Sequence, residues 1–166
     1  MRILLILCLI LLTFSSCKAT RQAKVITKKS KTENTTSSNV KATNIVDYAY
    51  QFEGVRYKYG GTTKRGMDCS GLILTSFKSE SVLLPRTTKD LAKSGDWIDI
   101  KKVQKGDLLF FATKKNSRRS NHVGIVTDVD DDAVEFIHAS TSKGVMTSKL
   151  KERYWYFAFV QARRVL

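Results

Sequence analysis

At 166 residues and 42% hydrophobic, the chain is one domain's worth of sequence, with enough apolar content for a packed core once its ends are set aside. Its formal net charge of +14 is unevenly spread: between Lys18 and Thr43, seven basic residues stand against Glu33 alone, so this stretch supplies +6. No aromatic residue interrupts that stretch, which argues against nucleic acid as the partner and for a solvated basic tail beside anionic lipid or an anionic polymer.

The chain opens with Arg2 and an unbroken apolar run from Ile3 to Leu12, then Thr13, Phe14, Ser15 and Ser16 before Cys17. A charged start, a short hydrophobic core and a small-residue processing site make residues 1–16 an expected export signal. The run is too short to span a bilayer, which takes roughly 20 apolar residues. The residues before Cys17 resemble the lipobox of bacterial lipoproteins, with Phe14 where leucine is usual. That resemblance implies cleavage before Cys17, acylation of the new N-terminus, and attachment to a membrane, with the outer membrane facing the periplasm as the expected location. Each acyl methylene buried in the bilayer contributes about 0.8 kcal/mol. Residues 17–43 are then expected to be a flexible basic linker, because Thr32–Asn39 is mostly Thr, Ser and Asn and cannot offset its ordering entropy. With Cys8 in the leader and Cys17 acylated, the mature chain keeps Cys69 as its single thiol and can form no internal disulfide. An unpaired cysteine in an oxidising compartment is expected to have a chemical use.

The domain is expected over residues 44–166. Asn44 can cap a helix through Ile45, Val46, Ala49 and Phe52, with Gly54 at its end. A turn-rich stretch from Tyr57 to Thr63 leads to Asp68-Cys69-Ser70-Gly71, followed by a largely buried helix to about Glu80. Pro85 breaks the chain before a short helix from Thr88 to Ala92. Strands are expected at Leu108–Ala112, His122–Val129, Ala133–Ser140, Gly144–Leu150 and Trp155–Arg163, with a basic loop from Thr113 to Asn121. Helices first and a mainly antiparallel sheet after them is an α+β arrangement.

Cys69 falls where a turn enters a helix. Free N–H groups at a helix N-terminus lower a thiol's pKa, and the thiolate is the nucleophilic form. The same groups can donate to an oxyanion on an attacked carbonyl. A thiol nucleophile needs a base, and the chain has only two histidines. His122 opens one expected strand and His138 ends the next, so a hairpin through Asp130–Asp132 brings them near each other. One can take the proton while the other fixes its tautomer and orientation, a triad without an aspartate. Zinc is the rival use of one cysteine and two histidines, but no close ligand pair such as Cys-x-x-Cys is present, and no metal or other cofactor is expected.

Arg56-Tyr57-Lys58-Tyr59-Gly60-Gly61, Asp68-Cys69-Ser70-Gly71, His122-Val123-Gly124-Ile125 and Phe136-Ile137-His138-Ala139-Ser140 together resemble the NlpC family of cell-wall cysteine peptidases. Within it, the run from His138 to Ser142 and the ending Ala162-Arg163-Arg164-Val165-Leu166 resemble its single-domain murein endopeptidase lipoproteins. The resemblance implies a reduced papain-like fold, with N-terminal helices packed on an antiparallel sheet. It implies Cys69 as nucleophile, His122 as base, His138 as the orienting residue, and Tyr57, Asp68 and Ser70 as substrate-binding positions. The implied partner is peptidoglycan, bound by a monomer that cleaves stem-peptide bonds next to diaminopimelate. The D-alanyl-diaminopimelate cross-link is favoured. Cleavage after D-glutamate, L,D-carboxypeptidase trimming, and a non-catalytic wall-binding module remain alternatives.

Overall fold

Ala42, Ile45, Val46 and Ala49 are buried while their neighbours are exposed, the i, i+3, i+4, i+7 spacing of one helical face. They lie on the first helix, α1 (Thr27–Tyr50), of a computed structural model that describes residues 27–130 and 133–166. The expected leader and Cys17 fall outside the described residues. Residues Glu33–Leu166 form one compact unit.

α1 starts well before the expected cap at Asn44. The Asn44 amide instead donates to Glu80 Oε1 at 3.0 Å, and Thr43 Oγ1 donates back to the Asn39 carbonyl at 3.1 Å. Thr32–Asn39, expected as part of a flexible tether, is therefore helical, although no residue from Thr36 to Lys41 is buried. Once a packed segment has nucleated a helix, each further residue adds a hydrogen bond at little cost. The C-terminal end tightens through bonds from Gln51, Phe52 and Glu53 to carbonyls three residues back. Gly54, at φ +78°, then donates to the Val145 carbonyl rather than back into the helix.

A two-stranded hairpin follows, β1 (Thr62–Thr63) with β2 (Gly66–Met67), and feeds α2 (Cys69–Ser79). α3 (Thr88–Leu91) is capped by Thr87, whose hydroxyl accepts from the Asp90 N–H. The remaining elements are β3 (Asp96–Ile98), a 3₁₀ turn (Ile100–Lys102), β4 (Leu108–Phe111), β5 (His122–Asp130), β6 (Ala133–Ser140), β7 (Gly144–Lys149), α4 (Arg153–Ala158) and β8 (Phe159–Arg164). The main sheet runs β3-β8-β4-β5-β6-β7 with every pair antiparallel, so the α+β class expected from the sequence holds.

Trp155–Ala158, expected to begin the last strand, is helical instead. Aromatic residues favour strands, but in this segment Trp155 and Ala158 are buried while Tyr154, Tyr156 and Phe157 are exposed, a helical spacing set by what the sheet can cover. The edge strand β3 was not expected: Trp97 is 63% exposed, and the element has no buried residue to announce it.

The sheet is buried on both faces. Leu108 and Phe110 pack with Ile45, Leu72 and Phe77 under α1 and α2, while Leu109 and Phe111 pack with Phe136, Trp155 and Ala162 on the other side. Double-sided burial is why Leu108–Phe111 is continuously apolar rather than alternating.

The entry to α2 depends on two glycines. A Cβ at Gly71 would lie 2.1 Å from the Gly61 carbonyl oxygen, and one at Gly61 would lie 2.3 Å from the Gly66 carbonyl oxygen. Both obstacles are backbone, so neither can swing aside. Gly71→Ala should therefore destabilise the fold by about 1–3 kcal/mol and shift the residue that begins α2. Urea unfolding of the variant checks this, and a midpoint equal to the parent's would contradict the close approach.

Candidate active site

Asp68 ends the hairpin in an extended conformation and caps α2. Its Oδ1 accepts from the Gly71 N–H and its Oδ2 from the Gly60 N–H, both at 2.7 Å. Arg86 grips the same carboxylate with both arms, Nη1 to Oδ1 at 3.0 Å and Nη2 to Oδ2 at 2.7 Å. Nη1 also donates to Ser70 Oγ at 2.7 Å, and Ser70 Oγ in turn donates to Asp68 Oδ1 at 3.3 Å. Burial pulls the Asp68 carboxyl upward, but the donors from Arg86, Gly71 and Gly60 outweigh it and hold the group below the ordinary carboxylate range.

Cys69, the first residue of α2, is 8% exposed. Its Sγ lies 3.7 Å from Thr88 Oγ1, a hydroxyl delivered by α3. The helix N-terminus was expected to lower the thiol's pKa; the Ser70 N–H there does so, but the net shift is upward. Burial pushes the thiol up and the Asp68 charge adds to it, against the Thr88 hydroxyl and the Ser70 and Val123 N–H groups, which lower it by less. A helix terminus acts through partial charges worth under about 2 kcal/mol, and here burial prevails.

The histidines form one hydrogen-bonded line. His122 Nε2 and His138 Nδ1 are 3.0 Å apart, and His138 Nε2 lies 3.0 Å from Ser148 Oγ on β7. Phe111 pairs with His122 and Ile137 with Ile125, so the register places both imidazoles on the sheet face that carries Phe111 and Phe136. Gly124 makes room for the pair, since a Cβ there would meet the Phe136 ring at 2.6 Å and His138 Cβ at 3.2 Å. Trp155 closes over both rings, stacked on His122 at 5.4 Å and edge-on to His138 at 4.6 Å. Burial under this aromatic cover lowers His122 to about 4; burial, with the neighbouring His122 charge, lowers His138 to about 3.

Tyr57, Asp68, Cys69 and Ser70 share a cavity of about 370 Å³ with Arg86 and Thr88, whereas His122 and His138 line an adjoining one of about 270 Å³. The Val123 N–H, one residue beyond His122, acts on the Cys69 sulfur, so the thiol sits at the mouth of β5. His122 Nδ1 is the one imidazole nitrogen with no hydrogen-bond partner among the described residues. Among those residues, no group of three or more His, Cys, Asp or Glu is arranged to hold a metal.

Residues 54–164 match the NlpC/P60 family. The chain belongs to that family. It is 45% identical over 120 residues to the probable endopeptidase NlpC of Escherichia coli K12, covering 72% of this chain and 75% of that protein. It is 39% identical over 123 residues to the murein DD-endopeptidase MepS/murein LD-carboxypeptidase of the same strain, covering 74% of this chain and 62% of that protein. Among solved structures, an NlpC/P60 family protein from Bacillus cereus superposes with a TM-score of 0.68 at 28% identity, covering 75% of this chain and 40% of that one. The chain is an enzyme of this family, a cysteine peptidase.

Cys69, His122 and His138 were expected at the site of this NlpC/P60 domain from the sequence, whereas Arg86, Thr88, Ser148 and Trp155 were not. Arg86 and Thr88 left one trace, their position just after the single proline. Ser148 and Trp155 left none, because their roles arise from the β6–β7 register and from the turn into α4.

The two depressed histidines make folding stability depend on pH. Unfolded, each imidazole protonates near 6.5, whereas folded His122 does so only near 4 and His138 near 3. The unfolded state therefore binds more protons as pH falls from about 6.5 towards 4, and stability is lost over that window while staying level above it. Chemical unfolding measured from pH 7.5 to 4.5 should show this slope, and a His138→Gln variant should show a shallower one. A flat profile would mean that the imidazoles are not held neutral by burial.

Proposed function

We propose that the protein is a murein endopeptidase that cleaves peptidoglycan stem peptides next to diaminopimelate, at the D-alanyl-diaminopimelate cross-link, with Cys69 as nucleophile, His122 as general base and His138 as orienting residue. The observation that carries this reading is the line from His122 through His138 to Ser148. It leaves a single ring nitrogen, His122 Nδ1, without a hydrogen-bond partner among the described residues and so free to take a proton, one residue before Val123, whose N–H acts on the Cys69 sulfur.

The hydrogen bonds fix the protons. For Nδ1 of His122 to accept, its proton must reside on Nε2 and donate to His138 Nδ1; His138 then carries its own proton on Nε2 and donates to Ser148 Oγ. The Cys69 thiol passes its proton to His122 Nδ1 as the sulfur bonds to the substrate carbonyl carbon. The Cys69 N–H, which as the first helical N–H has no partner four residues back, donates to the oxyanion. The imidazolium returns the proton to the leaving amine, giving a thioester. Water adds to the thioester as His122 takes its proton, and the sulfur departs as a thiol. Neutral partners at rest are compatible with this, since catalytic hydrogen bonds are often long before substrate binds.

Tyr57, beside the thiol, and the Asp68–Arg86–Ser70 cluster form the wall on which the stem peptide docks. Asp68 and Ser70 act there through Arg86, because Asp68 is already occupied by two backbone donors and the guanidinium. The name of the MepS relative also carries L,D-carboxypeptidase activity, and removal of a terminal D-alanine is the second reading. Ahead of the domain, we propose removal of residues 1–16 and acylation of Cys17, which tethers the enzyme to the membrane.

Digestion of purified cross-linked muropeptides followed by mass spectrometry separates the bonds. Dimers should become monomers with wild-type protein and stay intact with Cys69→Ala. His122→Ala should lose about 10²–10⁴-fold in kcat, and His138→Ala less. The double histidine variant should be little worse than His122→Ala, since residues that act as a unit are not additive. His138 is fully buried, so thermal unfolding must show each variant folded at the assay temperature. Turnover by folded Cys69→Ala protein would refute the mechanism, and loss of terminal D-alanine with dimers intact would move the enzyme to the second reading.

The anchor is tested separately. Full-length protein expressed in cells should partition into detergent, and Cys17→Ala protein should not. An intact mass that includes Met1 and no lipid would rule the anchor out.

A further inference from the structure

A groove of about 560 Å³ adjoins the histidine cavity and shares Thr113 and Tyr154 with it. Lys114, Lys115 and Arg153 line it, and Tyr154 and Phe157 form its apolar wall at 58% and 76% exposure. Arg118 and Arg119 are exposed on the same loop. None of these five cations has a carboxylate partner among the described residues, and Glu152, the acid beside them in sequence, instead accepts from the Lys149 N–H. A single clasp joins the groove to the reacting groups. Asn121 Oδ1 accepts from the Thr113 N–H at 2.7 Å and Asn121 Nδ2 donates to Thr113 Oγ1 at 2.8 Å. Asn121 also lines the cysteine cavity, so all three concavities meet around this pair.

We infer that the groove is an extension of the substrate site that binds the free carboxylates of the second, cross-linked stem peptide. This rests on the murein endopeptidase reading and deepens it. Unpaired cations in a concavity need anions that can enter it, and glutamate and diaminopimelate each retain a carboxylate outside the peptide links. Two exposed aromatic rings at low conformational cost suit a peptide arm lying across them. A ligand filling the groove runs directly into the histidine cavity through the shared Thr113 and Tyr154.

The test uses the full chain carrying Cys69→Ala, in which the ligand stays intact. Calorimetric binding of a purified cross-linked muropeptide dimer is compared with binding of the same dimer after amidation of its carboxylates. Adding Lys114→Ala, Lys115→Ala and Arg153→Ala together should raise Kd for the free-acid dimer about tenfold at low salt, as expected for three exposed charge pairs, and leave Kd for the amidated dimer unchanged. The difference should shrink at high salt. Unchanged affinity for the free-acid dimer, or an equal loss for both ligands, overturns the inference. So does a variant that keeps its muropeptide affinity but loses binding to phosphatidylglycerol vesicles, which would make the surface lipid-facing. Cleavage by the uninterrupted wild-type chain is a separate measurement: a wild-type chain that leaves the dimer intact removes the endopeptidase reading, while the binding comparison still decides the groove.

Discussion

The carboxylate of Asp68 joins three pieces of chain. The Gly60 turn, the first turn of α2 with its Ser70 hydroxyl, and the segment after Pro85 all converge on its two oxygens. Each bond from a donor to a charged acceptor contributes about 1.5–3 kcal/mol net when buried, with less from Arg86, whose side chain is 37% exposed. What these bonds secure is position. They hold the helix entry against the Gly61 backbone, and so they hold the sulfur of the next residue, Cys69, at the mouth of β5.

This arrangement has an electrostatic consequence. A carboxylate next to a thiol opposes thiolate formation, and Asp68 does raise the Cys69 pKa. Arg86 offsets part of that charge while serving as its hydrogen-bond donor, which explains how an aspartate can stand next to the thiol. On the other side of β5, Trp155, Phe111 and Phe136 pack around the imidazoles, and burial there lowers their pKa values. Burial thus favours the neutral thiol and the neutral imidazoles at rest. In the proposed mechanism, charge separates when a substrate supplies a carbonyl whose developing oxyanion the helix N–H groups stabilise.

What was legible in the sequence follows from locality. The Asp68–Gly71 turn, α2, the short α3 and strands β4 to β7 all declare themselves through contiguous patterns, and the β5–β6 hairpin brings its two histidines together by simple pairing. What was illegible depends on distant neighbours. Trp155–Ala158 carries a strand-like composition, yet it coils because only two of its four side chains have a face of the sheet to cover. α1 extends upstream through Thr36–Lys41, none of which is buried, where composition alone suggested a tether. Ser148 is one polar residue in a strand, and only the β6–β7 register gives it His138 as a neighbour.

β5 reconciles these two halves. Val123 and Ile125 point into the core beneath α1 and α2, whereas His122 and Val126 join the aromatic core on the opposite face. The strand therefore carries His122 on one side while its backbone at Val123 acts on the Cys69 sulfur. Helix and imidazoles need not pack against each other, because each is fixed by its own core and the strand sets the distance between them. In the proposed mechanism, the substrate bond lies at the N-terminal end of β5. There Asn121 closes onto Thr113 and the three concavities meet. This strand end brings a side chain of the aromatic face, His122, next in sequence to the backbone N–H of Val123 that acts on Cys69 at the start of the helix on the other face.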